Sequence, residues 1–138
     1  MKAKVISVLL AGLFLVGNIG VVFGKGTNTY KNVDKNIVEN TVTTEVYNGE
    51  EDENLVPVTK HIVTYNENGS AAEKLIYKWD ANKGWTAHSK YNYYYDFAGN
   101  LNALEYAQWN EANKGWSNEP YLTMYVHTNE GDLLTINE

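Results

Sequence analysis

The sequence WDANKGWTAHSKYNYYYDFAGN, from Trp79 to Asn100, contains one strand pattern between two turn patterns. Alternate side chains of the central run WTAHSKYNYYY would point to opposite faces of a β-sheet. The residues predicted to share one face are Trp85, Ala87, Ser89, Tyr91, Tyr93 and Tyr95. Before this run, Asp80 and Asn82 can bind backbone amides of a turn, and Gly84 can adopt a left-handed conformation. The stretch therefore predicts a hairpin loop that ends in a glycine bulge, followed by a strand.

Both turn patterns recur along the chain at a period near thirty residues. The tryptophan loop reappears as WNEANKGW, from Trp109 to Trp116, with one additional residue. The tight turn reappears as YNENGS and HTNEGD, so that Gly69, Gly99 and Gly131 are 30 and 32 residues apart. Regular turns between β-rich runs indicate an antiparallel meander. The predicted strands are residues 41–47, 55–65, 71–79, 85–95, 100–109, 116–127 and 132–137.

The predicted fold class is all-β, an antiparallel meander of about seven strands built from hairpin repeats. A single meander cannot leave a wide aromatic face in water. Three arrangements therefore stay open: the sheet curls until it is partly barrel-like, residues 25–40 cover one face, or two chains pair face to face as a homodimer.

All four tryptophans lie at the ends of the two loops. Trp79 and Trp85 would flank the first loop on neighbouring strands, close enough to pack against each other. A hairpin loop tolerates the additional residue of the second copy easily, whereas a ligand cage of fixed geometry does not. The repeat is therefore interpreted first as a pair of hairpin clamps and second as a binding site.

Residues 1–24 have the pattern of a secretory signal peptide. Lys2 and Lys4 precede the apolar run VISVLLAGLFLVG, and a cleavage site is predicted before Lys25. An uncleaved membrane anchor is the alternative, because residues 5–24 are just long enough to span a bilayer. No cysteine follows the apolar run, so a lipoprotein is not expected. The sequence predicts a secreted or periplasmic protein.

Two segments follow the signal pattern. Residues 25–40 are polar and lack clear periodicity, which predicts a flexible or draping N-terminal arm. Residues 41–138 form the predicted β-meander domain. Within it, the sequence NGEEDEN at residues 48–54 predicts a charged turn, because Asn-Gly is a strong hairpin signal.

The composition narrows the range of partners. Without residues 1–24, nine lysines stand against seventeen acidic residues, a net charge of −8, and the chain has no arginine. An acidic surface of this kind argues against nucleic acid and anionic membranes as partners. No membrane insertion is expected after signal cleavage. The absence of cysteine excludes disulfides, thiol chemistry and thiolate metal sites.

The side chains that could support catalysis or metal binding are isolated. No serine lies in a Gly-x-Ser-x-Gly elbow, and His61, His88 and His127 are far apart in sequence. Neither a cofactor nor a metal site is predicted. Glu73 and Glu105 are the acids to consider for glycoside hydrolysis, since each lies in a strand that is largely apolar on one side. The acidic run at residues 50–53 lacks the ligand spacing of a calcium loop and predicts a solvated turn.

Aromatic residues carry the remaining functional signal. The chain has eleven tyrosines and four tryptophans, and Tyr94 would point away from its neighbours Tyr93 and Tyr95. Exposed flat aromatic rings stack on sugar rings and also anchor protein contacts. The predicted binding residues are Trp85, Tyr94 and Trp116.

Three resemblances follow from these motifs. The sequence YDFAGNL, residues 95–101, resembles one Tyr-Asp repeat of large secreted shells and implies hairpin geometry. The sequence KGWTAHSKYNYYYDFAGN resembles choline- and glucan-binding repeats, although those repeats run near twenty residues. The signal pattern, the cysteine-free polar start and the tyrosine-rich hairpins with NKGW loops resemble a family of small exported Bacteroidales proteins of unknown function. That resemblance implies an exported β-meander and assigns no site residues.

These observations predict an exported, non-enzymatic binding module for a glycan or for a surface protein. The alternative is a structural or self-assembling envelope protein whose apolar face pairs with a second copy. A third hypothesis is a glycoside hydrolase built on Glu73 or Glu105.

Overall fold

The computed structural model describes residues 28–50, 55–127 and 133–137, with side-chain surroundings through residue 126. The described residues contain nine β-strands and no helix. The strands are β1 (Asn28–Asn36), β2 (Thr41–Gly49), β3 (Val56–Tyr65), β4 (Ala71–Asp80), β5 (Gly84–Tyr95), β6 (Leu101–Asn110), β7 (Gly115–Trp116), β8 (Tyr121–His127) and β9 (Leu133–Asn137). Residues 1–24, which carry the signal pattern, lie outside the described part of the chain. None of the described segments is a helix that could span a membrane.

The strands form one antiparallel sheet in which neighbours in sequence are neighbours in space. Its order is β1-β2-β3-β4-β5-β6-β8-β9, and the two-residue β7 pairs with β6 beside this path. The predicted all-β meander is thereby confirmed. The sheet stays open, with β1 and β9 at opposite edges, so it is not closed into a barrel.

The segment predicted as a flexible or draping arm, residues 25–40, contains strand β1. Nine residue pairs join β1 to β2, from Asn28 opposite Gly49 to Asn36 opposite Thr41. The alternation signal is weak because β1 is an edge strand, exposed on most of its length, and few of its side chains are apolar. Backbone pairing with β2, which the sequence pattern does not reveal, holds β1 in the sheet.

Two other predicted boundaries change for local reasons. Asn48 and Gly49, predicted to begin a turn, belong to β2, where Asn48 pairs with Val56. The predicted strand of residues 116–127 is divided into β7 and β8 by residues 117–120. Pro120 lies in this interruption, and its ring nitrogen has no proton to donate to the ladder.

Strand β5 contains a bulge that reverses the predicted face of its first residues. Ile76 pairs with Ser89, but the next residue, Tyr77, pairs with Ala87, so His88 is an extra residue in β5. Because Ile76 and Tyr77 point to opposite faces, Ser89 and Ala87 do so as well. The prediction that Trp85 and Ala87 share a face with Ser89, Tyr91, Tyr93 and Tyr95 is therefore wrong.

The two faces of the sheet have different aromatic residues. One face, the tyrosine face, carries Tyr91, Tyr93 and Tyr95 of β5 together with Tyr106 and Tyr121. The opposite face, the tryptophan face, carries all four tryptophans and Tyr94. The buried side chains lie on the central strands β4, β5 and β6, and both faces contribute to them. Among the described residues these are Ile76, Ser89, Ala103 and Ala107.

Candidate functional site

The two tryptophan loops lie at the same end of the sheet, after β4 and after β6, and they share one internal structure. The Asp80 Oδ1 accepts hydrogen bonds of 2.9 Å from the backbone N–H groups of Asn82 and Lys83. In the second loop, the Asn110 Oδ1 accepts bonds of 3.0 and 3.1 Å from residues 112 and 113. The turn chemistry predicted for Asp80 is confirmed, and Asn110 reproduces it in the longer loop.

The additional residue of the second loop changes which position adopts the left-handed conformation. In the first loop Gly84 has a φ of 78°, as its place at a glycine bulge predicts. In the second loop the preceding residue, Lys114, has a φ of 51°, and Gly115 lies outside this region. The second loop therefore accommodates the additional residue by placing the left-handed conformation at Lys114, one residue before the glycine.

Each loop is closed by a pair of tryptophans. Trp79 and Trp85 face each other in the ladder, with ring centroids 5.1 Å apart and ring planes at 75°. Trp109 and Trp116 repeat this contact at 5.2 Å and 77°. Edge-to-face packing is a favoured geometry for aromatic pairs. The interpretation of the tryptophans as cross-strand clamps is confirmed.

A cleft of about 380 Å³ separates the two loops, and we call it the loop cleft. The ladder between β5 and β6 ends where Ser89 pairs with Gln108. Beyond that pair, and next to the bulge at His88, the two strands part. Bulges bend a strand and increase its twist, which accounts for this separation. The side chains that line the loop cleft belong to Asp80, Lys83, Thr86, Ala87, His88, Gln108, Trp109 and Glu111.

Glu111 is the electrostatic centre of the loop cleft. Its Oε1 lies 2.6 Å from the Lys114 Nζ and 3.3 Å from the Lys83 Nζ, so it joins the two loops. Its Oε2 accepts a hydrogen bond of 3.1 Å from the Trp109 indole N–H. The bonds from Lys114, Trp109 and Lys83 lower the pKa of Glu111 to about 2. Glu111 is therefore ionised at any physiological pH.

The remaining polar side chains of the loop cleft have defined states. Hydrogen bonds from the backbone of Asn82 and Lys83 lower the pKa of Asp80, so this carboxylate is ionised as well. Burial, together with the charge of Lys78, lowers the pKa of His88, which favours the neutral imidazole at pH 7. The His88 Nδ1 lies 3.2 Å from the Ser89 hydroxyl.

The sequence of this chain matches a family model over residues 1–127, and that model is described as a family of unknown function, DUF3836. This chain belongs to the DUF3836 family. The resemblance to a family of unknown function is thereby confirmed. None of the curated proteins matches the chain.

Solved DUF3836 structures have the same fold. One, from Parabacteroides distasonis ATCC 8503, is 20% identical with a TM-score of 0.56, covering 81% of this chain and 92% of that chain. Another, from Bacteroides vulgatus ATCC 8482, is 20% identical with a TM-score of 0.54, covering 80% and 98%. A protein of unknown function from Bacteroides fragilis NCTC 9343 is 18% identical with a TM-score of 0.59, covering 82% and 90%. At these identities the likeness concerns the fold alone.

In this DUF3836 chain the three predicted binding residues do not form one site. Trp85 and Trp116 are half-buried beside the two loops, with the Nζ atoms of Lys60 and Lys90 at 4.9 and 5.5 Å from their ring centroids. Tyr94 is 47% exposed but lies nine residues further along β5 than Trp85, about 30 Å away. A role of these residues in binding stays a prediction.

Glu73 and Glu105 lie in one row across the tryptophan face. Both pair with Asn92, which stands between them on β5, and the Asn92 amide donates a 2.7 Å hydrogen bond to Glu105. Their backbones are two strands, or about 10 Å, apart. The described residues contain no cluster of three or more side chains that could hold a metal ion. Residues 51–53 of the acidic run lie outside the described part of the chain.

The residues that matter most in the loop cleft were not predicted as functional from the sequence. Trp109 and Glu111 lie in the WNEANKGW loop, which is interpreted first as a hairpin clamp, and His88 and Gln108 belong to no functional motif. One usable signal is the 30-residue spacing of Trp79 and Trp109, since loops two strands apart in a meander must meet at one end of the sheet. No sequence pattern indicates that β5 separates from β6, because this separation depends on the bulge at His88.

Proposed function

We propose that this DUF3836 protein is an exported, non-enzymatic binding module that holds a glycan in the loop cleft. The supporting observation is the lining of the cleft, in which Trp109 stands among six polar side chains drawn from both repeats. Small-ligand sites combine aromatic surface with a few convergent polar groups. Flat indole rings suit the apolar faces of sugars, and carboxylate, amide and imidazole groups suit their hydroxyls.

The size of the loop cleft favours a glycan over a surface protein. Its volume of about 380 Å³ lies within the range of about 300–1,000 Å³ that is common for small-ligand pockets. A stable protein–protein interface instead buries about 800 Å² on each partner, usually over a broad surface. The cleft is an indentation between two loops and offers no such area.

The electrostatics of the loop cleft support binding without hydrolysis. A glycosidase needs a carboxylic acid whose raised pKa keeps it protonated until it donates to the leaving oxygen. Asp80 and Glu111 have the opposite property, because the pKa of each is lowered by its hydrogen-bond donors. Both carboxylates can accept hydrogen bonds from sugar hydroxyls, but neither has a proton to give.

The same charges favour a neutral glycan. The two negative charges of Asp80 and Glu111 are balanced by Lys83 in the lining and by Lys114, whose Nζ lies 2.6 Å from Glu111. The whole chain has a formal charge of −6, so an acidic polysaccharide would approach against like charge. We therefore expect binding to neutral chains and none to polyuronates or sulphated glycans.

The proposal is tested by affinity electrophoresis of the purified protein in gels that contain xylan, mannan or mixed-linkage glucan. We expect retardation by at least one polymer, and its loss on Trp109→Ala. The matched control is Trp79→Ala. Trp79 occupies the same place in the first loop and makes the same tryptophan contact, but it does not line the cleft.

Two results would contradict the proposal. Equal loss of retardation in Trp79→Ala and Trp109→Ala would mean that binding depends on loop stability rather than on the cleft. No retardation by any of the three polymers would contradict binding of neutral polysaccharide. Capture of a protein partner would then favour a module that binds a surface protein.

Self-association is the second candidate, and a separate surface favours it. On the tryptophan face, Tyr94 and Met124 are neighbours across Ala103, and they are 47% and 39% exposed. Val126, two residues along β8, is 43% exposed. Tyrosine and methionine are common in the centres of protein interfaces. Light scattering at increasing concentration would show a dimer that Met124→Glu abolishes if this face pairs with a second copy.

Export is proposed from residues 1–24 alone. Sequencing the N-terminus of the protein recovered from the periplasm or the medium is expected to begin at Lys25. Recovery of the intact N-terminus in the membrane fraction would favour the anchor instead.

A further inference from the structure

Beside the loop cleft, three tyrosines stand in a row across neighbouring strands. Tyr91 on β5 pairs with Tyr106 on β6, and Tyr106 pairs with Tyr121 on β8. Their ring centroids are 5.0 and 6.2 Å apart, and the ring planes are tilted by 48° and 33°. We call these three residues the tyrosine row. It presents a continuous strip of aromatic rings that runs across the strands on the tyrosine face.

The tyrosine row is connected to the loop cleft through Gln108. This residue lines the cleft, and its Nε2 donates a 3.0 Å hydrogen bond to the Tyr106 hydroxyl. Gln108 and Tyr106 are two residues apart on β6, so they point to the same face about 7 Å from each other. A molecule that leaves the cleft over Gln108 meets the ring of Tyr106 next.

The end of the tyrosine row is open to solvent. Tyr121 is 68% exposed, which is more than the 47% of Tyr94, the other strongly exposed tyrosine of the described segments. It follows Pro120, where the interruption between β7 and β8 ends. Its ring contact with Tyr106 holds the side chain against the sheet, so its ring is presented to solvent without much freedom to lose on binding.

We infer that the bound glycan is an extended chain, with one end in the loop cleft and its following sugar units on the tyrosine row. This inference rests on the proposed function and specifies its ligand. The polar cleft holds one end of the chain by hydrogen bonds and by contact with Trp109. The tyrosine rings then supply stacking surface to the following units, and their hydroxyl groups supply hydrogen bonds to the sugar edges. Affinity therefore increases with chain length.

The experiment compares oligosaccharides of two and of six units, cut from xylan, mannan and mixed-linkage glucan, by isothermal titration calorimetry. The six-unit chain is expected to bind at least tenfold more tightly than the two-unit chain of the same series. Tyr121→Ala is expected to remove about tenfold of the six-unit affinity, equivalent to about 1.4 kcal/mol, and to leave the two-unit affinity unchanged. Trp109→Ala lowers the affinity for both lengths.

The matched control is Tyr94→Ala, which also removes an exposed tyrosine but on the opposite face of the sheet. It is expected to leave both affinities unchanged. Equal binding of two and six units, or no effect of Tyr121→Ala on the six-unit chain, would overturn the inference while the proposed function stands. If no six-unit chain binds at all, the proposed function fails with it. A loss caused by Tyr94→Ala in place of Tyr121→Ala would move the chain to the tryptophan face and also overturn the inference.

Discussion

Single residues of the two tryptophan loops show how one hairpin design tolerates an insertion. The sequence KGW ends both loops, yet the glycine has a different backbone conformation in each. Gly84 has a φ of 78°, a region that side chains enter only with strain, while Gly115 lies outside this region. In the second loop Lys114 adopts the left-handed conformation. The same local sequence therefore adopts different backbone conformations in the two loops, and only the first loop needs a left-handed glycine.

This difference predicts unequal effects of two identical substitutions. Gly84→Ala is expected to lower the free energy of unfolding by about 1–2 kcal/mol, the cost of a left-handed alanine. Its new Cβ would meet the Trp79 ring at 3.7 Å, an ordinary contact, so the backbone is the cause. Gly115→Ala is expected to change stability by less than about 0.5 kcal/mol. Urea unfolding of both variants checks this, and equal losses would contradict it.

At the scale of the elements, the hairpins are held by pairs across each ladder more than by a deep core. Few of the described side chains are fully buried, and the largest apolar one is Ile76. The tryptophan pairs close one end of two hairpins. At the other end, the Asn66 and Asp96 side chains accept backbone bonds of 2.9 and 2.8 Å from Ser70 and Asn100. Each of these turns closes a different hairpin: the tryptophan pairs close β4–β5 and β6–β7, and the Asn66 and Asp96 turns close β3–β4 and β5–β6.

Energetic coupling within a hairpin is therefore expected to exceed coupling between hairpins. A double-mutant cycle of Trp79→Ala and Trp85→Ala should give an interaction of about 0.5–1.5 kcal/mol, as measured for edge-to-face aromatic pairs. The cycle of Trp79→Ala with Trp116→Ala should be additive within about 0.3–0.5 kcal/mol, since these rings belong to different loops. Unfolding in urea supplies all the values. Coupling of similar size in both cycles would show that the loops act as one unit.

For the whole molecule, stability depends on charged groups that the open sheet half-buries. His61 lies on the tyrosine face, where it pairs with Thr44 and Ile76. Burial, with the charges of Lys74 and Lys31, lowers its pKa to about 4. Burial also lowers the pKa of Lys74. The folded protein therefore keeps His61 neutral at a pH where the unfolded chain, with an ordinary pKa of 6.5, takes up a proton.

Because the folded pKa is the lower one, the unfolded chain binds more protons between pH 6.5 and pH 4, and stability falls as the pH falls through this window. We expect a loss of about 1 kcal/mol between pH 7.5 and pH 5, a figure reduced for the partial exposure of His61. In His61→Gln this loss should shrink to the smaller contribution of His88, whose pKa is also lowered. Urea unfolding at both pH values provides the test, and an undiminished loss in His61→Gln would contradict it.

The sequence by itself determined the hairpins of this protein. The first loop is formed by residues close together in sequence, namely Asp80, Gly84 and the flanking tryptophans. Their pattern can therefore be recognised without knowledge of any more distant strand. The meander followed, because strands adjacent in the sequence pair with each other. The candidate binding residues could be predicted less well, since aromatic character alone points to Trp85, Tyr94 and Trp116, and the sheet places Tyr94 far from the other two.

Only the tertiary structure decided how the faces and the loop cleft are formed. The extra residue His88 moves Trp85 to the face opposite Tyr91, and β5 then parts from β6 beyond Ser89. Strand β1 is likewise held by its pairing with β2 rather than by its own pattern. A bulge, a register and an edge pairing are properties of two strands together. No single stretch of sequence encodes them, because the hydrogen bonds that fix them join residues from different segments of the chain.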